Sequence, residues 1–221
     1  MIETSKTLNR RQRTRHATVA AILDAARAQM RADGAAALSL NEVARQVGMR
    51  PPSLYEYFPG GKYAIYDTLF RLGYEQYSLL TEPLAAIDDP WELLQMIAEG
   101  YFTFATTNPE LYQLCFERPV PGFVPSDDSL AMSFGMLNQV RAHMERVLAP
   151  LANATGLTLE QYFTLSIALM HGITASHLAN EPQLPLGQGR FGSLVPFVAS
   201  MLRRIWAAEP NSSTASKGTA L

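Results

Sequence analysis

Residues 39–58, SLNEVARQVGMRPPSLYEYF, decide the fold. The stretch opens with Ser39 and Glu42 in S-x-x-E spacing, a capping box in which the hydroxyl takes an amide and the carboxylate reaches back. Leu40, Val43, Ala44 and Val47 then fall on one face of a short helix that ends at Gly48. Met49 and Arg50 make a turn. Pro51 and Pro52 lack an N–H and are tolerated only where a helix starts, so a third helix opens there and runs through Ser53, Leu54, Tyr55 and Tyr57 to Phe58. Pro59-Gly60-Gly61 ends it. Two short helices joined by Gly-Met-Arg are the layout of a helix-turn-helix. The turn needs a residue that tolerates close approach, a role assigned to Gly48. The second helix must show small and hydrogen-bonding groups where it enters a major groove about 12 Å wide. A plain helical hairpin carries the same pattern, so the spacing alone leaves that alternative open.

Working outward, residues 16–33 place Val19, Ile22, Leu23, Ala26 and Met30 on one helical face, with Gly34 as the stop. Downstream, a helix over 62–80 carries Ile65, Leu69 and Leu72, and Pro83 and Asp88 break it. Asp89-Pro90-Trp91-Glu92 is a helix start with Asp as cap and Pro in the first position, and Asn108-Pro109-Glu110 restarts the chain in the same way. Residues 119–125 are a loop. A long helix is predicted over about 128–151, and Thr158 and Gln161 form a second capping box before one over about 159–179. A Pro/Gly loop at 181–189 leads to a last helix over 191–207, which Pro196 makes start at or bend near Val195. No strand pattern or internal repeat is visible. The expectation is an all-α protein of about nine helices. An N-terminal helix-turn-helix three-helix domain precedes a C-terminal helical bundle. The boundaries are a basic arm at 1–15, the helix-turn-helix domain at 16–61, the helical body at 62–208 and a disordered polar tail at 209–221.

The composition bounds the function. With 221 residues, 48% hydrophobic and 17% charged, the chain can bury a core unaided. A single cysteine, Cys115, excludes an intrachain disulfide and a cysteine-built zinc site, and its apolar neighbours make it a buried small hydrophobe. No apolar run follows the basic start, so no secretory signal is expected, and no stretch is long enough to span a membrane. The expected location is cytoplasmic, bacterial, and on the nucleoid when DNA is bound. The net charge of −2 hides an asymmetry: residues 1–62 hold ten Lys/Arg against five Asp/Glu, and the rest of the chain is acidic. Such a basic quarter points to a polyanion partner, with chance clustering as the alternative. Arg10, Arg11, Arg13 and Arg15 read either as an arm along DNA or as a solvated tail.

Residues 20–70, AAILDAARAQMRADGAAALSLNEVARQVGMRPPSLYEYFPGGKYAIYDTLF, resemble the DNA-binding domain of the tetracycline-repressor-like (TetR) regulators, over about residues 16–75. The paired alanines, Ser-Leu, Val-Ala, Gly, Leu-Tyr and Tyr-Phe stand at the family's spacings. Where the family has Ser-Lys after the residue following Tyr-Phe, this chain has Gly60-Gly61-Lys62, which displaces Lys62 by one position. Residues 108–123 and 168–182, with His171-Gly172, are similar to the subgroup named for a Trp-His-Gly motif, although Ile167 stands where the tryptophan is often found. The resemblance implies a homodimer built mainly on the last two helices. It also implies a double-stranded, near-palindromic operator and a small-molecule ligand in the body, with the fourth helix linking pocket to DNA module. It names Ser39, Asn41, Arg50, Pro52, Ser53, Tyr55, Tyr57 and Lys62 as DNA contacts, with Tyr55 on a phosphate.

For the ligand, the aromatic and Met side chains of the body and the polar residues on its apolar faces are the candidates. The set is Tyr101, Phe104, Tyr112, Phe134, Asn138, Met170 and His171. Trp91, Met136, His143 and Thr164 belong to the same pool, for which plain core packing is the alternative. No metalloprotease, phosphate-loop or nucleophile-elbow motif is present, and His171 and His177, six apart, lie on different helix faces. No cofactor, metal or catalysis is expected. The reading is a DNA-binding repressor released by a largely apolar ligand. Its rivals are a regulator without a ligand or an activator, and a helical enzyme or adaptor that no longer binds DNA.

Overall fold

In the computed structural model, residues 9–151, 153 and 155–207 are described. The first eight residues of the expected arm, and the expected tail at 209–221, lie outside them. Among the described residues there are nine α-helices and no strand. They are α1 (Arg10–Asp33), α2 (Leu40–Gln46), α3 (Pro51–Leu54), α4 (Lys62–Thr81), α5 (Pro90–Thr107), α6 (Pro109–Tyr112), α7 (Asp127–Leu148), α8 (Leu159–Asn180) and α9 (Val198–Trp206). Among them no helix is long and apolar enough to cross a membrane.

Local caps explain most of the boundaries. Helix α1 begins six residues before the predicted start, because Asn9 and Gln12 exchange side-chain-to-backbone bonds of 2.9 Å in a capping box. Arg10, Arg11, Arg13 and Arg15, read as part of an arm before the first helix, are therefore helical. Asp89 accepts from the amides of Trp91 and Glu92, and Thr158 and Gln161 close the box expected of them. The box expected at Ser39 forms by half. The Ser39 hydroxyl accepts from the Glu42 amide, but the Ser39 N–H donates to Gln29 of α1, so the Glu42 carboxylate is not needed there and turns to Arg45 and Gln46.

Gly48 is required for its conformation, not for close approach. Its φ is +68°, and a Cβ there would meet nothing within 4 Å. Gly73 is the opposite case: a Cβ would lie against the Cys115 sulfur.

The chain divides into two compact units. The first comprises the described residues of Met1–Gln76 and Asn108–Ser133. Ile22, Ala26, Val43, Ala44 and Leu54 form the core of its helix-turn-helix part. Its second segment is tied to α1 by Glu110, whose buried carboxylate takes Arg27 at 2.8 Å and Arg31 at 2.9 Å. Asn108 stands at the N-cap of α6 with Pro109 in the first turn, as expected, but its side chain makes no cap bond and accepts from Arg27 at 2.8 Å instead. A π-helical turn, Gln113–Glu117, follows α6. Asp67 of α4 accepts from both the amide and the hydroxyl of Ser126.

The second unit comprises Tyr77–Thr107 and the described residues of Phe134–Leu221. There α5 packs against α8 and α9. The predicted last helix is a 3₁₀ segment, Gly192–Phe197, followed by α9, because Pro196 cannot donate inside an α-helix. Gln95 of α5 bridges the break, donating to the Val195 carbonyl and accepting from the Ala199 amide.

Candidate nucleic-acid interface

The candidate surface lies in the first unit, where α1 packs on α2 and α2 on α3. Leu54 and Phe58 are buried, which leaves the polar side of the same stretch outward. After Leu54 the chain tightens instead of continuing as an α-helix to Phe58: Tyr57 and Phe58 both donate to the Leu54 carbonyl. The recognition element is one helical turn plus one tight turn.

Of the eight predicted DNA contacts, Asn41, Arg50, Pro52, Tyr55 and Lys62 are exposed, and Ser39, Ser53 and Tyr57 are half-buried. Tyr55 has 51% of its surface open. The Ser39 hydroxyl already serves the α2 cap. Lys62 is the first residue of α4, because Gly61, with φ +61°, supplies the carbonyl that accepts the first helical bond, from Ile65.

One feature was missed by sequence reasoning. Arg15 of α1 lies over the Tyr57 ring, 5.1 Å from its centroid, and donates to the Glu56 carbonyl at 3.3 Å. Arg10, Arg11 and Arg13, on the first turns of the same helix, are exposed and make no ion pair among the described residues. The Asn9/Gln12 box was the signal that could have placed them on a helix. On α2 the Arg45 guanidinium and the Gln46 amide hold the Glu42 carboxyl down at about 2.

The predicted ligand residues fall in both units, four of them together in the second. Tyr112 lies in the first unit, fully buried. Phe134, 55% open, and Asn138 are exposed. Tyr101, Phe104, Met170 and His171 lie in the second unit, where the Tyr101 hydroxyl and His171 Nδ1 are 2.9 Å apart and the Tyr77 ring meets both Tyr101 and Phe104. These are packed groups. That unit also holds a cavity of about 360 Å³ between the end of α4, the 3₁₀ turn Glu82–Ala86, α5 and α7. His143 and Met136 of the wider candidate pool line it; Ser78, Thr81 and Glu82 were not among the candidates.

No curated protein matches the chain in sequence. Its structure is similar to that of a protein described as regulatory, SCO4313, at 25% identity and a TM-score of 0.65, over 88% of this chain and 98% of that one. It is also similar to the TetR family transcriptional regulator PfmR from Thermus thermophilus, at 15% identity and a TM-score of 0.60, over 83% and 97%. A third likeness, at 12% identity and a TM-score of 0.62 over 86% and 98%, is to AibR in complex with isovaleryl coenzyme A and operator DNA. Residues 22–69 match the family of bacterial regulatory proteins named for tetR, and the helix-turn-helix described above is accordingly a TetR-family N-terminal domain.

Proposed function

We propose that the chain is a sequence-specific DNA-binding transcriptional regulator, a repressor that a small, largely apolar ligand releases from its operator. The observation that carries the reading is the outward face of Arg50, Pro52 and Tyr55. Tyr57 is fixed beside it by Arg15, and Arg10, Arg11 and Arg13, without an ion pair among the described residues, stand on the same helix α1. Exposed cations supply phosphate affinity, and the groups on the short helix supply base readout. In this reading residues 16–61 bind DNA, and residues 62–208 bind ligand and dimerise, in a body of the Trp-His-Gly type marked by His171-Gly172. Exposed apolar side chains at Leu165 and Ile167 of α8, and at Leu194 and Phe197, support a second copy as their cover. AibR, with its operator and its acyl ligand, supports the same pairing of functions here. The protein would work in the cytoplasm, on the nucleoid when bound, without catalysis. An inducer must favour the DNA-incompetent state, with a coupling of ~1–3 kcal/mol.

The test is selection of bound duplexes from a random pool at ~0.15 M salt. A palindrome whose half-sites lie about one helical turn apart is the expected result. Recovery of sequence-blind DNA alone, with binding that vanishes as salt rises, would overturn the reading.

A further inference from the structure

Given the ligand-responsive reading above, the lining of the cavity in the second unit determines which ligand chemistry it suits. At about 360 Å³ it sits at the small end of sites that hold drug-sized molecules. Leu84, Leu93, Ile97, Met136 and Val140 give it an apolar wall.

Its polar groups are mostly acceptors. Thr81 gives its hydroxyl hydrogen to the Ser78 carbonyl at 3.1 Å, which leaves its lone pairs. His143 Nε2 lies 2.7 Å from the Ile87 carbonyl. A carbonyl only accepts, so Nε2 carries the hydrogen, and the neutral ring keeps Nδ1 as an acceptor. The Glu82 carboxylate is acceptor-only when ionised, and among the described residues it has no ion pair or hydrogen bond. Ser78 and Gln139 can serve either way. No lysine or arginine is among the residues that line the cavity. A coenzyme A thioester brings several phosphate charges, which protein sites meet with Arg or Lys; nothing lining this cavity does so.

We propose that this cavity takes a compact amphiphile with a hydrogen-bond-donating, neutral or cationic head, of the alkylammonium or alkanol kind, and excludes coenzyme A thioesters. The alkyl part lies on the Leu84–Leu93–Ile97 wall, and the head meets Glu82, Thr81 and His143.

The test is calorimetry on the full chain without DNA, using octylammonium, octanol, octanoate and octanoyl coenzyme A. Octylammonium and octanol are expected to bind, the ammonium about two- to fivefold tighter, as a partly solvated ion pair gives. Glu82→Gln should remove that preference and leave octanol unchanged. Val140→Trp, or Met136→Trp if the first variant unfolds, should abolish both. Tighter binding of octanoate or octanoyl coenzyme A overturns the proposal. So does no binding of the first two, or binding that survives a filled cavity. A separate arm adds octylammonium to the protein on its selected operator. Binding without DNA release would refute the regulatory coupling and leave the ligand class standing.

Discussion

Arg15 and Tyr57 form one unit: the guanidinium lies 5.1 Å from the ring centroid, and the same side chain bonds the carbonyl of Glu56. The first helix thus sets the rotamer of a side chain at the candidate DNA face. Arg15→Ala should weaken operator binding by ~1 kcal/mol, the scale of an exposed cation–π contact, or about fivefold. The melting temperature should barely move. Anisotropy titration beside Arg11→Ala checks this, because Arg11 has no ring to hold. If the two variants lose affinity equally and with equal change in salt slope, Arg15 is only a charge.

Tyr55 stands more than half open, so its side chain can be removed without a cavity. Tyr55→Ala should weaken operator binding by at least ~1 kcal/mol while the protein stays folded. Tyr55→Phe separates the hydroxyl from the ring. A folded Tyr55→Ala with unchanged affinity removes Tyr55 from the contact surface.

The Glu42 carboxyl sits at about 2 against an ordinary 4.5, because Arg45 and Gln46 hydrogen-bond its charged form. A carboxyl depressed in the folded state stabilises the fold above its unfolded pKa and loses that contribution as pH falls through the folded one. The Glu42 contribution should therefore be complete above about pH 4.5 and decline toward pH 2. Carboxyl NMR titration reads it directly, and Arg45→Ala should return the midpoint toward 4.5. A midpoint near 4.5 in the unmodified protein would mean that the Glu42–Arg45 pair does not persist in solution.

Glu110 has no exposed side-chain surface, whereas Arg27 keeps 19% and Arg31 52%. Glu110→Ala strands two cations, one of which half faces water. The cost should fall at the low end for a broken buried pair, ~3 kcal/mol, or roughly 6–12 °C in melting temperature. Thermal unfolding measures it. A loss below ~1 kcal/mol would show that both arginines find water as good a partner.

What was legible in the sequence was local. The helix start at Asp89, the box at Thr158 and Gln161, and the burial of Val43 and Ala44 depend on neighbours a few residues away and formed as read, while Leu40 and Val47 of the same face are half-buried. The misreadings have partners far along the chain or rest on polar signals. Helix α1 was started late because its first turns are charged and carry no apolar period. Glu42 left its expected bond because Gln29, on another helix, reached the Ser39 amide first. Asn108 takes the cap position it was read in, but its side chain is held by Arg27 rather than by an α6 amide. The exposed DNA-facing candidates followed from one short segment. The cavity takes its lining from four elements, and no short motif encodes such a meeting. Of the aromatic and Met residues read as candidates, Met136 lines it and Tyr112 is fully buried in the other unit.

The buried Glu110 and its two arginines bear on how such proteins are remade by recombination. The unit that carries the helix-turn-helix is not contiguous along the chain: after Gln76 it resumes only at Asn108. A graft that moved residues up to Gln76 onto another body would transplant Arg27 and Arg31 without the carboxylate that receives them. Such a graft would keep the ion pair when a matching acid stands at the start of the sixth helix. The acid and its two arginines belong to one unit, so the helix-turn-helix keeps this ion pair only when both of its chain segments travel together.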